Sequence, residues 1–412
     1  LLNPLSVFLV VLSIGLAGSS SWSRSWDGEV YPSEREVTTD ATSGARLVFV
    51  TNDPGEDTNL YFHQRSWLPD GSLLFFTSNR NGRPELFGYI EATGELVRIQ
   101  PPEIGLQSIS TAGRDTNRFY VTHDEGVYEW EIHIEASAGS PTQVRVEERR
   151  IAELPEGAGS LFGLNESSEG KGLTVGYWNR EEGGSTLLWI DKASGESKEI
   201  AQFDARETHL QSSWETPGLV MVAKPNARGE KYRDRAARWP SGELSNRMWL
   251  ADLTDREPWP LYPQTEDELV THECWWTGDR VTFCAGENYR GDAEEAHVKV
   301  IDTRTGIARI IGAGVWWPSG TAVEISKRNW WHCAGSPDGR WVAADNWHGD
   351  IGLFSAKTSR TRILTSGHRT YGSGAHPHVG WDPKGGKVVF ASMRRGNSDL
   401  CIAEIPEGWS EE

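Results

Sequence analysis

The stretch A-H-P-H-V-G places two histidines, His376 and His378, one residue apart, just ahead of a turn and an apolar strand. Four more, His63, His209, His272 and His332, stand in comparable places. Each lies about nine or ten residues before the first apolar residue of a strand, at Leu73, Leu219, Val281, Trp341 and (for the H-P-H pair) Val388. Six of the 11 histidines in the chain therefore share one station. A neutral imidazole binds Mn, Fe, Zn or Ni. It also accepts a proton near neutral pH. Imidazoles arriving at one point from distant parts of a chain can form an open metal site with room for substrate. Core packing explains any single histidine, but poorly explains six in register.

A repeated unit positions that station. A turn followed by an apolar strand recurs as S-W-L-P-D-G-S-L-L-F-F from Ser66, C-W-W-T-G-D-R-V-T-F-C from Cys274, C-A-G-S-P-D-G-R-W-V-A from Cys333 and V-G-W-D-P-K-G-G-K-V-V-F from Val379. Weaker copies begin at Thr111, Glu166 and Ser212. Alternating strands around a second Asp/Thr/Gly turn follow most copies, as in V-K-V-I-D-T-R-T-G-I-A-R-I-I, which is a hairpin signal. Seven units of about 45 residues and about four strands each predict an all-β, seven-bladed β-propeller. The histidine station is then the start of the innermost strand, at one mouth of the central channel. The segment S-G-A-R-L-V-F-V-T before the first unit predicts the strand that completes the last blade.

Composition narrows the function. The 412 residues include 44 glycines and 20 tryptophans and carry a formal charge of -18, which argues against a nucleic-acid partner. Positive charge is concentrated in the fourth unit, in A-K-P-N-A-R-G-E-K-Y-R-D-R-A-A-R-W-P-S-G-E-L-S-N-R-M-W, which holds Lys224, Arg228, Lys231, Arg233, Arg235, Arg238 and Arg247. Local cations in an acidic protein suit an anionic ligand, and the guanidinium fork suits a carboxylate. The apolar start over 1–20 reads as a secretory signal peptide, which implies a periplasmic or secreted protein with no other membrane segment. Residues 21–39 read as a flexible N-terminal segment and 40–412 as the propeller domain. Cys274 and Cys284 flank a hairpin turn; they either pair, as export permits, or stay as buried thiols.

The motifs D-A-T-S-G-A-R-L-V-F-V-T, L-Y-F-H-Q-R-S-W-L-P-D-G-S-L-L-F, N-R-M-W-L-A-D-L, T-H-E-C-W-W and A-H-P-H-V-G-W-D-P resemble the oligogalacturonate lyase family, from about Asp40 to Pro406. The resemblance implies a seven-bladed propeller that cleaves uronate oligosaccharides by β-elimination with a bound manganese ion. It implies that His272 is the proton-abstracting base and Arg247 the arginine that binds the substrate carboxylate. His332, His376 and His378 become three metal ligands. The resemblance also places His209 near the substrate, while the histidine station and the basic segment add His63 and Arg238 as substrate-binding candidates. Where the family has a glutamine ligand this chain has Ser373, so the metal shell differs. The implied partner is an acidic oligosaccharide.

Proton abstraction at C5 requires the neighbouring carboxylate to be neutralised, by a divalent cation and Arg247, while a neutral His272 takes the proton. Hydrolysis would instead need two opposed carboxylates. Glu273 is the one acid at hand, and strand alternation is expected to point it away from His272. Two alternatives stay open. One is a lyase for another uronate polymer such as ulvan, whose lyases are also propellers. The other is a non-catalytic, TolB-like exported propeller.

Overall fold

The computed structural model describes residues 22–409 apart from 107–109, 137–139, 180–182, 205–206, 225–245, 255, 265–267, 287–295, 315–329, 347–348 and 370–375. The chain alternates apolar strands with Gly/Asp turns, and these pair locally into seven antiparallel sheets. The innermost strands are Asp57–Asn59, Ser110–Ala112, Ala158–Glu166, Thr208–Ser212, Leu269–Trp276, Cys333–Gly335 and Gly380–Trp381, for blades 1 to 7 in turn. From blade 2 to blade 7 each inner strand packs against the next, and the second and third strands of blade 7 pack on Asp57–Asn59 of blade 1. The result is a closed seven-bladed propeller. No α-helix occurs among the described residues, and none of their segments is a helix long and apolar enough to cross a membrane.

The second strand of each blade is buried on both faces, because a neighbouring blade covers each side. Leu73–Ser78 (L-L-F-F-T-S) shows this as a continuous apolar run rather than an alternating one. Phe75 of blade 1 stacks on Phe119 of blade 2 with centroids 4.0 Å apart. Large buried aromatics, Trp130, Trp275 and Trp276 among them, fill the core between blades in the same way.

The predicted closing strand is present. Arg46–Phe49 pairs with Asp399–Glu404, setting Cys401 against Phe49 and Ala403 against Leu47. The lead-in expected as flexible is a correction. Arg24–Asp27 pairs with the outer strand of blade 2, Glu29–Tyr31 with that of blade 1, and Glu36–Thr39 with Arg46–Phe49 of blade 7. Only three or four residues long and largely exposed, these strands are held by edge pairing that period-2 patterning does not register. The signal-peptide reading falls on residues 1–20, outside the described part. All four cysteines are free and buried. Cys274 faces Thr282 and Cys284 faces Thr271, so the pair is out of register for a cross-strand bridge.

Candidate active site

The inner strands of blades 3, 4 and 5 carry the same irregularity. Two residues oppose one: Gly163 and Leu164 between the pairs of Phe162 and Asn165, His209 and Leu210 between those of Thr208 and Gln211, His272 and Glu273 between those of Thr271 and Cys274. The first residue of each bulge is left-handed, with φ of 57° at Gly163, 51° at His209 and 54° at His272. His378 of blade 7 has φ of 50°. Left-handed backbone is uncommon outside glycine, and it persists where the surroundings over-determine it. Here amides of adjacent blades clamp it. Asn165 donates to the Leu210 carbonyl at 2.8 Å, Gln211 to the Glu273 carbonyl at 2.8 Å, and Asn59 to the His378 carbonyl at 2.5 Å. A bulge re-aims its side chain, and those of blades 4 and 5 turn the imidazoles of His209 and His272 toward the axis.

The imidazoles expected to converge do so. His332 lies 4.1 Å from His272, 4.4 Å from His378 and 5.6 Å from His376, between ring centroids. His376 and His378 are nearly parallel at 5.7 Å. His209 stands 6.2 Å from His272 and 5.3 Å from His63. Phe62 lies under this group, within 6.0 Å of the rings of His63, His209, His272 and His332. Residues 376–379 are not a strand, so the shared face of His376 and His378 does not come from strand alternation. Ser373 and Arg238 lie outside the described residues, as do the cations between Lys224 and Arg247.

Three residues that the sequence reading passed over or misjudged organise the site. Glu273 is fully buried yet belongs to it: Oε1 lies 2.6 Å from His209 Nδ1, and Oε2 accepts from Arg247 Nε at 2.8 Å. The bulge breaks the alternation that was expected to point Glu273 away. Asp345, at the end of the second strand of blade 6, lies 2.8 Å from His332 Nδ1 and accepts from the backbone N–H groups of His332 and His378 at 2.8 and 3.1 Å. One carboxylate thus orients the His332 ring and fixes the backbone of His378, and it leaves Nε2 of His332 to face the centre. The Tyr61 hydroxyl lies 3.2 Å from His209 Nε2. With Glu273 ionised, His209 carries its proton on Nδ1 and accepts from Tyr61 at Nε2.

Electrostatics keep the cluster neutral. Burial, then the neighbouring His332, push the pKa of His272 well below the ordinary imidazole value. Burial and His332 do the same to His378 and, less strongly, to His376. Burial lowers His63 to about 3. Burial alone would raise Glu273, but Arg247 and His209 hold it below the usual carboxylate range. The site therefore offers uncharged nitrogen donors beside one ionised, paired carboxylate.

As a donor set for a divalent metal, His332, His376 and His378 fit by chemistry: three imidazoles, one oriented by a carboxylate. Neither His376 nor His378 makes a ring hydrogen bond among the described residues. Their spacing is looser than a finished shell. Among the described residues, the one set of three whose ligand atoms all lie within 4.8 Å of one another is Glu131, His133 and Glu147, on the outer strands of blade 2. Those glutamates already meet Arg118 and Arg145. Holding one ion at the axis requires the three rings to draw in.

Fold and site together define a seven-bladed propeller with a histidine-lined axial mouth. No family model matches the chain, and no curated protein matches it by sequence. Solved structures do. An oligogalacturonate lyase from Vibrio parahaemolyticus superposes with a TM-score of 0.72 at 16% identity, covering 93% of this chain and 100% of that one. An oligogalacturonate lyase in complex with manganese gives a TM-score of 0.71 at 17% identity, covering 93% and 99%. The resemblance read from the motifs thus holds for the fold over nearly the whole chain.

Proposed function

We propose that this chain is a metal-assisted polysaccharide lyase that cleaves acidic oligosaccharides beside a uronate by β-elimination. The observation that carries the reading is the convergence of imidazoles from five blades on one mouth, three of them on strained, amide-clamped backbone. His332, His376 and His378 would hold the cation, and manganese is the ion named with one of the similar structures. A bound divalent cation supplies positive charge against the uronate carboxylate, which makes the C5 proton more acidic.

The protein's own groups supply the rest. Arg247 is buried beside Glu273 and His209 and is aimed by that pair, so its guanidinium orients the substrate carboxylate. Its charge is offset by Glu273, which leaves most of the neutralisation to the cation. His272 has Thr271 Oγ1 3.1 Å from Nδ1. With the ring proton donated there, the Nε2 lone pair is free to accept the C5 proton. The electron pair left at C5 forms the C4=C5 double bond as the C4–O bond breaks; the departing oxygen takes a proton from solvent, His272 gives its proton back to solvent, and no water is consumed. Glu273 is already committed to Arg247 and His209, so it makes a poor hydrolytic acid.

The test is direct. Purified protein with Mn²⁺ and a panel of uronate oligosaccharides is expected to give products with unsaturated ends, seen by mass and by rising ultraviolet absorbance. Their absence across the panel, with metal content verified, overturns the reading. It would leave the non-catalytic propeller, which the loose spacing of the three rings favours.

A further inference from the structure

The channel has a second mouth, opposite the histidine cluster, formed by the turns that follow the inner strands. A cavity of about 200 Å³ opens there, with room for one sugar ring rather than a chain. Phe62 stands between it and the imidazoles of His209, His272 and His332. Trp67 and the half-buried Trp214 and Trp381 give it aromatic walls. Gln64, Arg65, Arg114 and Asp115 give it polar ones, and the fold does not use them up. The Gln64 amide and the Asp115 carboxylate make no hydrogen bond among the described residues. Arg65 Nε donates to the Ala112 carbonyl at 2.9 Å and Arg114 Nη2 to the Trp214 carbonyl at 2.7 Å, which fixes both guanidinium planes. Their other side-chain nitrogens have no partner among the described residues, and Arg65 Nη2 is buried in that condition. The buried acid beside them, Glu166, is taken up by Lys192, Tyr120 and the Arg114 backbone N–H. Burial and the like charge of Arg114 lower Arg65 to about 10, which leaves it a cation at neutral pH. Polar groups in so enclosed a place are ordinarily hydrogen bonded, so this cluster calls for a bound partner.

We propose that this second mouth is a non-catalytic saccharide site that takes one uronate ring. Two guanidinium groups in one cavity fit the carboxylate. Gln64 and Asp115 fit the ring hydroxyls, and the apolar face of the ring lies on Trp214 and Trp381. Two cations against one carboxylate, Asp115 at the exposed rim, favour an acidic sugar over a neutral one. A ring seated here is kept from the imidazoles by Phe62, so the site anchors and does not cleave. Anchoring one end of a polymer raises its concentration at the other mouth. The inference goes beyond the lyase reading and does not depend on it.

The experiment titrates trigalacturonate into the full chain with Mn²⁺ by calorimetry, with His272→Ala present to stop turnover. The expected result is a binding component that survives Arg247→Met and is weakened about tenfold or more by Arg114→Gln. Arg114 also ties blade 2 to the turn of blade 4, so a second variant is needed. Pro337→Trp fills the mouth without removing a side-chain hydrogen bond, and is expected to abolish the same component with melting unchanged. Binding that neither Arg114→Gln nor Pro337→Trp alters overturns this inference, and so does the absence of any binding that survives Arg247→Met. Maltotriose held at this mouth as tightly as trigalacturonate overturns the assignment to an acidic sugar. The lyase reading is judged apart from all of these, by unsaturated ends from the unmutated chain.

Discussion

Blades 3 and 4 are built on the same bulge with opposite contents. In blade 3 the left-handed residue is Gly163, and a Cβ placed there would meet the Leu210 carbonyl oxygen at 2.4 Å. In blade 4 it is His209, whose ring reaches Tyr61 and Glu273. Blade 3 uses the position to let the neighbouring backbone approach, and its Asn165 then grips that backbone. Blade 4 uses it to present an imidazole. The bulge is therefore a property of the propeller, and the chemistry depends on which residue occupies it. Blades 2 and 3, without a histidine at the station, serve as buttress.

The largest expected effect separates the two kinds of occupant. His272→Ala is expected to lower kcat on the order of 10²- to 10⁴-fold, the range for losing a general base. Circular dichroism and melting should show the fold retained. A retained rate would mean that the blade 5 bulge is structural, like that of blade 3.

The next effect concerns stability. Gly163→Ala combines a left-handed φ with a backbone clash and should destabilise by about 1–3 kcal/mol in denaturant unfolding. His378→Gly, at a similar φ, should shift stability by less than about 1 kcal/mol, since relief of strain offsets the lost ring packing. It should also lower the content of bound metal. A large destabilisation by His378→Gly would erase the contrast.

The smallest effect uses a buried histidine away from the station. His368 is hydrogen bonded to Thr365 and Ser392 at 2.8 and 2.7 Å, and burial pushes its pKa down to about 3. Unfolded, it titrates near 6.5. Between these values the unfolded chain binds a proton that the folded one does not. Stability therefore falls as pH drops below about 6.5, with a contribution of about 1.4 kcal/mol per pH unit from this group. Above that pH both states are neutral and the contribution vanishes. His368→Gln should flatten the acid limb of a stability-pH curve by that slope and leave turnover unchanged.

Much of this was legible in the amino-acid sequence. Buried second strands and Asp/Gly turns repeat at even spacing, so the seven blades and the closing strand could be counted, and the histidines fell into register. What escaped was what departs from strict periodicity. Glu273 was misjudged because a bulge shifts side chains to the other face, and nothing in T-H-E-C-W-W marks the bulge. Asp345 left only a faint signal, an acid at the end of the apolar run W-V-A-A-D whose burial required a partner. Tyr61 lay in plain view beside His63, but aromatics in a core are the rule. The strands of residues 24–39 were missed because edge pairing asks little of the residues that provide it.

The strand Arg46–Phe49 lies within the first eighth of the 412 residues yet completes a sheet whose three inner strands come more than 300 residues later. A nascent polypeptide leaving the ribosome therefore has no finished ring, and no finished histidine cluster, until its seventh blade emerges. Tyr61 and His63 wait for His376 and His378 across more than 300 positions. Such a latch joins closure of the ring to synthesis of its seventh blade, because a product truncated before Asp399 would lack the strand that grips Arg46–Phe49.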